Sequence, residues 1–308
     1  MKIGLVLAGG GGKGAYQLGV WKAFKELDID KYVQGVSGTS IGALNAVLFS
    51  QGDYETAENI WMKITREDVL PIDNVELFTK GVKLFIGNKN INFIKRFLPG
   101  LLEQGNVSRE GLLNILNGNI DFNKIFESDK SLYVTCTEIP EIRARYFRLN
   151  DYDEETIKKV LCATSAIPPI YEYEEIEAVK YVDGGMVDNM PIQPLYGEGF
   201  DIIFAVHLQR EFNIDRNKFP NARIIDIIPS SEQGGVFTGT LDFSHESVKK
   251  RIITGYEDTM NLIEPILEIE KVKLKKSPFR IFIDAGKNIV KKSKDVTANI
   301  SSGFSKKE

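Results

Sequence analysis

The chain has 308 residues, of which 43% are hydrophobic and 27% charged, and a formal net charge of −4. That length holds one large α/β domain, or one domain and a small appendage, with a sizeable core. The negative balance argues against a nucleic-acid partner, and the two cysteines, Cys136 and Cys162, are too few for a disulfide framework or a zinc site and read as buried thiols in a reducing compartment.

Residues 3–8 form a continuous apolar run, the pattern of a strand buried on both faces of a parallel sheet. The run is too short for a signal-peptide core, which leads us to expect a cytoplasmic protein. Glycines break it at Gly9, and from Ala15 the apolar residues Leu18, Val20, Trp21, Phe24 and Leu27 recur at helical spacing. A second strand over residues 32–37 passes directly into a small-residue helix at Ser40. Strand, helix, strand and helix within fifty residues predict a parallel sheet with right-handed crossovers, whose ligand loops lie at strand C-terminal ends.

Asp53 is placed to cap a further helix carrying Ala57, Ile60, Trp61 and Ile64. Between residues 69 and 104 the pattern weakens into apolar residues mixed with lysines. An amphipathic insertion packed on the sheet is the common outcome for such a pattern, and a cap that touches lipid is the alternative. Ser108 is placed to cap a helix running to Leu116; residues 131–139 and 143–149 read as strands, and 153–163 as a helix stopped by Pro168 and Pro169. Residues 178–182 form a short strand ending in Asp183, Gly184 and Gly185. Two more strands at 201–208 and 223–228 precede a long helix from Ser244 to about residue 269. The remaining tail is basic and polar. It reads as a solvated face, with anionic lipid head groups as a second possibility that unchanged vesicle binding after deletion of residues 271–308 would remove.

Three stretches carry chemistry. Gly38, Thr39, Ser40, Ile41 and Gly42 form the pattern Gly-x-Ser-x-Gly at a strand-to-helix corner. A serine held in such a tight corner exposes its hydroxyl, and side chains two residues away on either side would collide with the turn. The helix beginning at Ile41 aims its free amides at the place where negative charge develops during attack on a carbonyl. The plainer reading is a glycine-rich loop with a capping serine. A serine hydroxyl needs a base. His207 and His245 are the only histidines; His207 sits near the end of a strand, whereas His245 begins a helix, and neither has motif support. Asp183 directly follows a strand and precedes two glycines, so its carboxylate can project while the backbone turns away, although an ordinary turn has the same pattern.

The run Gly9, Gly10, Gly11, Gly12, Lys13, Gly14 lets backbone amides converge on an anion. A dinucleotide site would want an acidic residue at the end of the second strand, where Gly38, Thr39 and Ser40 stand. A Walker loop would want Lys then Ser or Thr after the last glycine, where Ala15 and Tyr16 stand. An oxyanion hole beside Ser40 keeps all of its requirements.

These residues resemble the patatin-like phospholipases. The resemblance rests on Gly9, Gly10, Gly11, Gly12, Lys13 and Gly14 as the oxyanion loop, on residues 38–42 as the nucleophile elbow, on residues 163–168 as a Ser-Ala-x-Pro-like segment, and on Asp183, Gly184 and Gly185 as the Asp-Gly-Gly element. It covers residues 1 to about 210. It implies a three-layer α/β/α fold with a mainly parallel sheet, and a Ser40–Asp183 dyad without histidine. It also implies hydrolysis of acyl esters in phospholipids, lysophospholipids or neutral lipids, with the oxyanion held by amides from Gly9, Gly10, Gly11, Gly12 and Ile41. No metal or cofactor is required. Lys13 is expected to neutralise charge near the loop or to pair with a carboxylate.

We therefore expect a catalytic core at 1–210 with a helical insertion at about 69–127, C-terminal strands and a long helix over 211–285 packed on the same domain, and a basic tail at 286–308. The expected partner is a lipid acyl ester, with peripheral contact at the inner face of the membrane an open possibility; nothing in the sequence sets the oligomeric state. Two other functions fit in part. One is a soluble esterase, thioesterase or acyl transferase using the same dyad; the other, a nucleotide-binding regulatory protein, lacks its second motif.

Overall fold

The computed structural model describes residues 1–69, 107–168, 170–211 and 213–274. Most of the 69–104 segment, and all of the tail beyond residue 274, lie outside the described residues.

β1 (Ile3–Leu7) is buried at every position and feeds a 3-10 turn (Gly11–Gly14) and helix α1 (Ala15–Glu26). β2 (Val33–Thr39) ends at Ser40, where α2 (Ile41–Gln51) begins. The strand starts one residue later than its sequence suggests, because Tyr32 belongs to a short 3-10 turn and is exposed. α3 (Tyr54–Lys63) is capped as its sequence predicts, with Asp53 accepting from Thr56 N at 3.0 Å. A short α4 (Arg66–Val69), α5 (Glu110–Asn119) and α6 (Phe122–Phe126) precede β3 (Ser131–Ile139) and β4 (Arg143–Arg148). Ser108 accepts from Glu110 N at 3.1 Å, but the residue in the cap position of α5 is Arg109. α7 (Glu154–Thr164), β5 (Glu174–Ile176), β6 (Val179–Asp183), α8 (Gln193–Gly197), β7 (Ile202–Val206), β8 (Arg223–Ile227) and the long α9 (His245–Leu274) complete the described chain. β5 has no counterpart in the sequence reading; it is three residues long, too short for a period to emerge.

The strands form one mixed sheet in the order β5-β6-β3-β2-β1-β7-β8, with β4 also paired to β3. Its centre, β3-β2-β1-β7-β8, is parallel as predicted, whereas β4, β5 and β6 join antiparallel. β3 therefore serves three partners. β2 pairs with it over Ser131 to Thr135, β6 over Cys136 to Ile139, and β4 over a stretch that overlaps both. A strand has only two edges, so β2 and β6 share one edge of β3. They approach along it from opposite directions, with Thr39 opposite Thr135 and Asp183 opposite Cys136.

The two faces of the sheet are covered unequally. Helices α1, α2, α3, α7 and α9 share the main core with Leu5, Val36, Val134, Phe204 and Ile225 of the strands. The other face carries a thin layer, in which Ile192, Leu195 and Phe200 around α8 pack on Val6, Ile203, Ala205 and Ile224. Gly4 and Gly35 face this layer, and a Cβ on Gly35 would lie 2.3 Å from the Phe200 ring. On the thick side α1 and α9 cross almost backbone to backbone: a Cβ on Gly255 would lie 2.1 Å from Tyr16 O, and one on Gly19 2.0 Å from Ile252 O. Both cysteines are buried free thiols, and Cys136 Sγ donates to Val160 O at 3.6 Å. Among the described residues, no helix is long and apolar enough to cross a membrane, and no cluster of His, Cys, Asp or Glu could hold a metal ion.

Candidate active site

Ser40 has φ 55° and ψ −126°, a conformation rarely adopted by a side-chain-bearing residue. Such strain persists only where the surroundings enforce it, and here they do. A Cβ on Gly38 would lie 2.3 Å from Gly42 O, and one on Gly42 2.2 Å from Leu7 O, so the corner closes only with glycine at both places. The Ser40 amide donates to Thr164 Oγ1 at 2.9 Å, and that hydroxyl donates to Thr135 O at 2.6 Å. Thr164 thus ties the elbow to β3 from the end of α7. Below the elbow, Ser37 Oγ donates to Pro191 O at 2.6 Å and Thr39 Oγ1 to Asp188 O at 2.9 Å, fastening β2 to the thin layer.

Asp183 ends β6 at the head-to-head junction with β2. Its backbone is fixed on both sides, since Asp183 N donates to Ala166 O at 2.9 Å and Thr137 Oγ1 donates to Asp183 O at 2.7 Å. Gly184 is needed because a Cβ there would lie 2.2 Å from Thr135 O. Oδ1 accepts from Gly185 N at 2.7 Å, so the residue also caps the turn that its sequence suggests. Oδ2 is buried and makes no hydrogen bond of standard geometry, yet the Ser40 hydroxyl is near enough to favour the charged carboxylate. Burial dominates and pushes the carboxyl up to about 7, against the opposing pull of the Gly185 amide, the Ser40 hydroxyl and the Arg109 guanidinium.

The glycine run curls over the other side of Ser40. Gly9, Gly10, Gly11, Ser40, Ile41 and Asp183 all line one pocket, whose remaining walls include Leu44, Leu112, Leu116, Leu161, Ile167, Tyr171, Leu241 and Phe243. The first amides of α2 have no acceptor within their own helix, so that of Ile41 is available to an anion in the pocket. Gly12 and Gly14 do not line this pocket. Gly12 lies behind the loop, where a Cβ would lie 2.3 Å from Asp242 O, and Gly14 packs against Ile41 and Trp61. Of the two roles expected for Lys13, pairing with a carboxylate is not seen among the described residues, and the side chain faces a second, polar cavity. Burial, then the nearby Arg251, lower its pKa against the opposing attraction of Glu232.

Buried polar groups hold the glycine loop at both ends. Asn45 Nδ2 donates to Gly14 O at 3.0 Å and to Gln17 Oε1 at 2.7 Å; Gln17 Nε2 donates in turn to Ala8 O at 2.8 Å, and Trp61 Nε1 donates to Asn45 Oδ1 at 2.8 Å. From α9, the Arg251 guanidinium donates to Gly12 O at 3.2 Å, Asp242 O at 2.6 Å and Thr238 O at 3.0 Å, so it braces both the loop and the π-helical turn Val236–Thr240.

His207 does not serve Ser40. Its Nε2 lies 2.8 Å from Asp226 Oδ1, and it does not line the pocket; nor does His245, at the start of α9. Sequence reasoning missed Arg109, which lines the pocket, donates to Glu172 O at 2.8 Å, pairs with Glu174 at 3.3 Å and stacks over Tyr171. Asn189, whose Nδ2 donates to Gly9 O at 3.1 Å, lies in the stretch Asp188 to Pro191 that resembles the family, but the sequence assigned it no role. No local pattern marks Arg109. Asn189 follows Asp188 six residues after Asp183, inside a stretch already resembling the family, and was the more findable of the two.

Residues 5–196 match the patatin family, described as patatin-like phospholipase. Curated relatives include the lysophospholipases nte1 of Aspergillus terreus and Aspergillus niger, each 28% identical over 210 residues, which is 66% of this chain and 12% of theirs. The chain thus aligns with only a small part of these relatives. Among solved structures, VipD from Legionella pneumophila matches with a TM-score of 0.50 at 17% identity, over 98% of this chain and 77% of that one, a likeness of fold alone. With the family match spanning more than half of its length, the chain belongs to the patatin-like phospholipases.

Proposed function

We propose that this protein hydrolyses the fatty-acyl ester of a phospholipid or lysophospholipid through a Ser40–Asp183 dyad. One observation carries the reading: a strained, partly exposed serine and a buried aspartate pushed up to about 7 meet at the floor of one apolar pocket. A carboxylate of ordinary acidity is a weak base, and partial desolvation brings Asp183 towards working pH.

In the acylation step the ionised Asp183 takes the proton of Ser40 as Oγ attacks the acyl carbonyl. The electron pair moves onto the carbonyl oxygen, which the amides of Gly10, Gly11 and Ile41 receive. Collapse of this intermediate breaks the ester C–O bond, and Asp183 returns its proton to the departing alcohol. Water, deprotonated by the same carboxylate, then frees the fatty acid. Proton transfer supplies ~10²–10⁴-fold of the acceleration, and each oxyanion donor ~10²–10³-fold. Gly9 positions the loop through the Asn189 bond to its carbonyl. The acyl chain runs along Leu44, Leu112, Leu116, Leu161 and Phe243.

The test is fatty-acid release from phospholipid vesicles and lysophospholipid by the wild type, Ser40→Ala and Asp183→Asn, alongside fluorophosphonate labelling. Loss of hydrolysis in both variants, with labelling of the wild type alone, is the expected result. An Asp183→Asn enzyme that keeps most of its rate would place the base elsewhere.

A further inference from the structure

An ester bound at Ser40 has two arms, and the pocket described above suits only one of them. Beside it, across the glycine loop, lies a cavity of about 410 Å³ lined by Lys13, Gln209, Arg210, Glu211, Glu232 and Gln233. The two spaces adjoin, since Gly9, Gly10, Asn189 and Thr240 line both. Where the acyl arm takes the apolar side, the alcohol arm has the polar side available.

We propose that this cavity is the subsite for a phosphodiester headgroup, with Lys13 as its anion ligand. The inference rests on the ester-hydrolase reading above and adds to it the substrate class. Lys13 is only 6% exposed, yet among the described residues it makes no hydrogen bond or ion pair. Glu232 attracts this ammonium from beyond ion-pair distance and Arg251 repels it, so an entering anion would supply the close partner it lacks. Gln233, in the same lining, has a buried Oε1 without a hydrogen-bond partner. Arg210 is exposed and adds a second cation at the rim. Glu211 and Glu232, also exposed, oppose a second negative charge there. The lining therefore favours the single charge of a phosphodiester over the double charge of a phosphomonoester.

The test compares kcat/KM for three substrates with the same acyl chain: lysophosphatidylcholine, lysophosphatidic acid and the uncharged monoacylglycerol. Each is assayed below its micelle concentration with the wild type, Lys13→Met and Arg210→Gln. Lys13→Met lowers the ratio of lysophosphatidylcholine to monoacylglycerol by about tenfold or more, as expected for the loss of a hydrogen bond to a charged group. Arg210→Gln, on the exposed rim, lowers the ratio about two- to threefold, and the wild type prefers the diester to the monoester. Glycerophosphocholine inhibits monoacylglycerol hydrolysis competitively, while inorganic phosphate does so far more weakly. An unchanged ratio in both variants overturns the proposal and leaves Lys13 a brace for the loop; equal inhibition by inorganic phosphate overturns it in favour of a free-anion site. Binding separates the subsite from the chemistry: glycerophosphocholine raises the Tm of Ser40→Ala but not of Ser40→Ala with Lys13→Met. Should no substrate be hydrolysed, a retained Tm shift upholds the subsite and rejects only the hydrolase reading, whereas its absence rejects the subsite.

Discussion

Asp183 is held at a cost to the fold. A carboxyl whose pKa rises on folding favours the folded state while protonated and opposes it once ionised. With an unfolded value of ~4 and a folded value of about 7, stability falls as pH rises between these limits and is level above them. Asp183→Asn removes the penalty. We expect the variant to melt above the wild type at pH 8, by a few kcal/mol of stability at most, and to show no such advantage at pH 4, a contrast that calorimetry at the two pH values reads directly. Activity runs the other way. Because the base must be ionised, kcat/KM climbs about tenfold per pH unit below 7 and levels off above it. Arg109 favours the charged carboxylate, so Arg109→Gln moves this acid limb to higher pH, and a limb that does not move removes Arg109 from the electrostatics of the site. Asn45 makes a separate demand. Replacing it with leucine strands Trp61 Nε1 and the carbonyl groups that Nδ2 serves. With three groups orphaned at about 1–3 kcal/mol each, Asn45→Leu should cost ~3–9 kcal/mol in urea unfolding, the upper end applying only if nothing relaxes to satisfy them.

At the level of elements, α9 stands out because it lies outside the family match yet reaches the catalytic loop. Its contact with α1 depends on Gly19 and Gly255, and four residues before Gly255 it presents Arg251 to Gly12 O. Gly255→Ala should therefore do two things: overpack the crossing, at ~1–3 kcal/mol, and displace Arg251. Arg251→Met isolates the second effect. We expect kcat to fall about tenfold with KM nearly unchanged, and Arg251→Lys to recover part of the loss; a matched fall in thermal stability with kcat intact would make Arg251 a purely structural residue. This contact was not legible in the sequence, because Arg251 and Gly12 lie 239 residues apart and the arginine sits in an ordinary amphipathic pattern. The elbow was legible for the opposite reason. Gly38 and Gly42 flank Ser40 within five residues, Gly38 against the turn itself and Gly42 against the neighbouring strand β1, so the spacing itself carries the geometry. Asp183 was legible as a strand end followed by glycines. That β6 runs antiparallel was not, since pairing direction is set by tertiary contacts that leave no mark on a five-residue strand.

For the molecule as a whole, the boundary of the family match is not the boundary of the working structure. Thr240, Leu241 and Phe243 wall the pocket that holds Ser40, and Val248, Ile252 and Ile263 of α9 cover core that would otherwise face water. A chain ending at residue 210 retains every motif residue, yet it should fail to unfold cooperatively and fail to take a fluorophosphonate label. Labelling at the full-length rate would show instead that the C-terminal part is an accessory.

The junction on β3 has a consequence for how such an enzyme diversifies. The spacing of Ser40 and Asp183 is set by adjacent residues of one strand, Thr135 and Cys136, and not by the chain that connects the pair. Leu112 and Leu116, which line the apolar pocket proposed to hold the acyl chain, belong to that connecting stretch. Reaction and acyl preference are thus written in separable parts of the molecule. Exchanging residues 107–120 for those of another family member should change the preferred chain length while the acid limb of the pH profile stays in place.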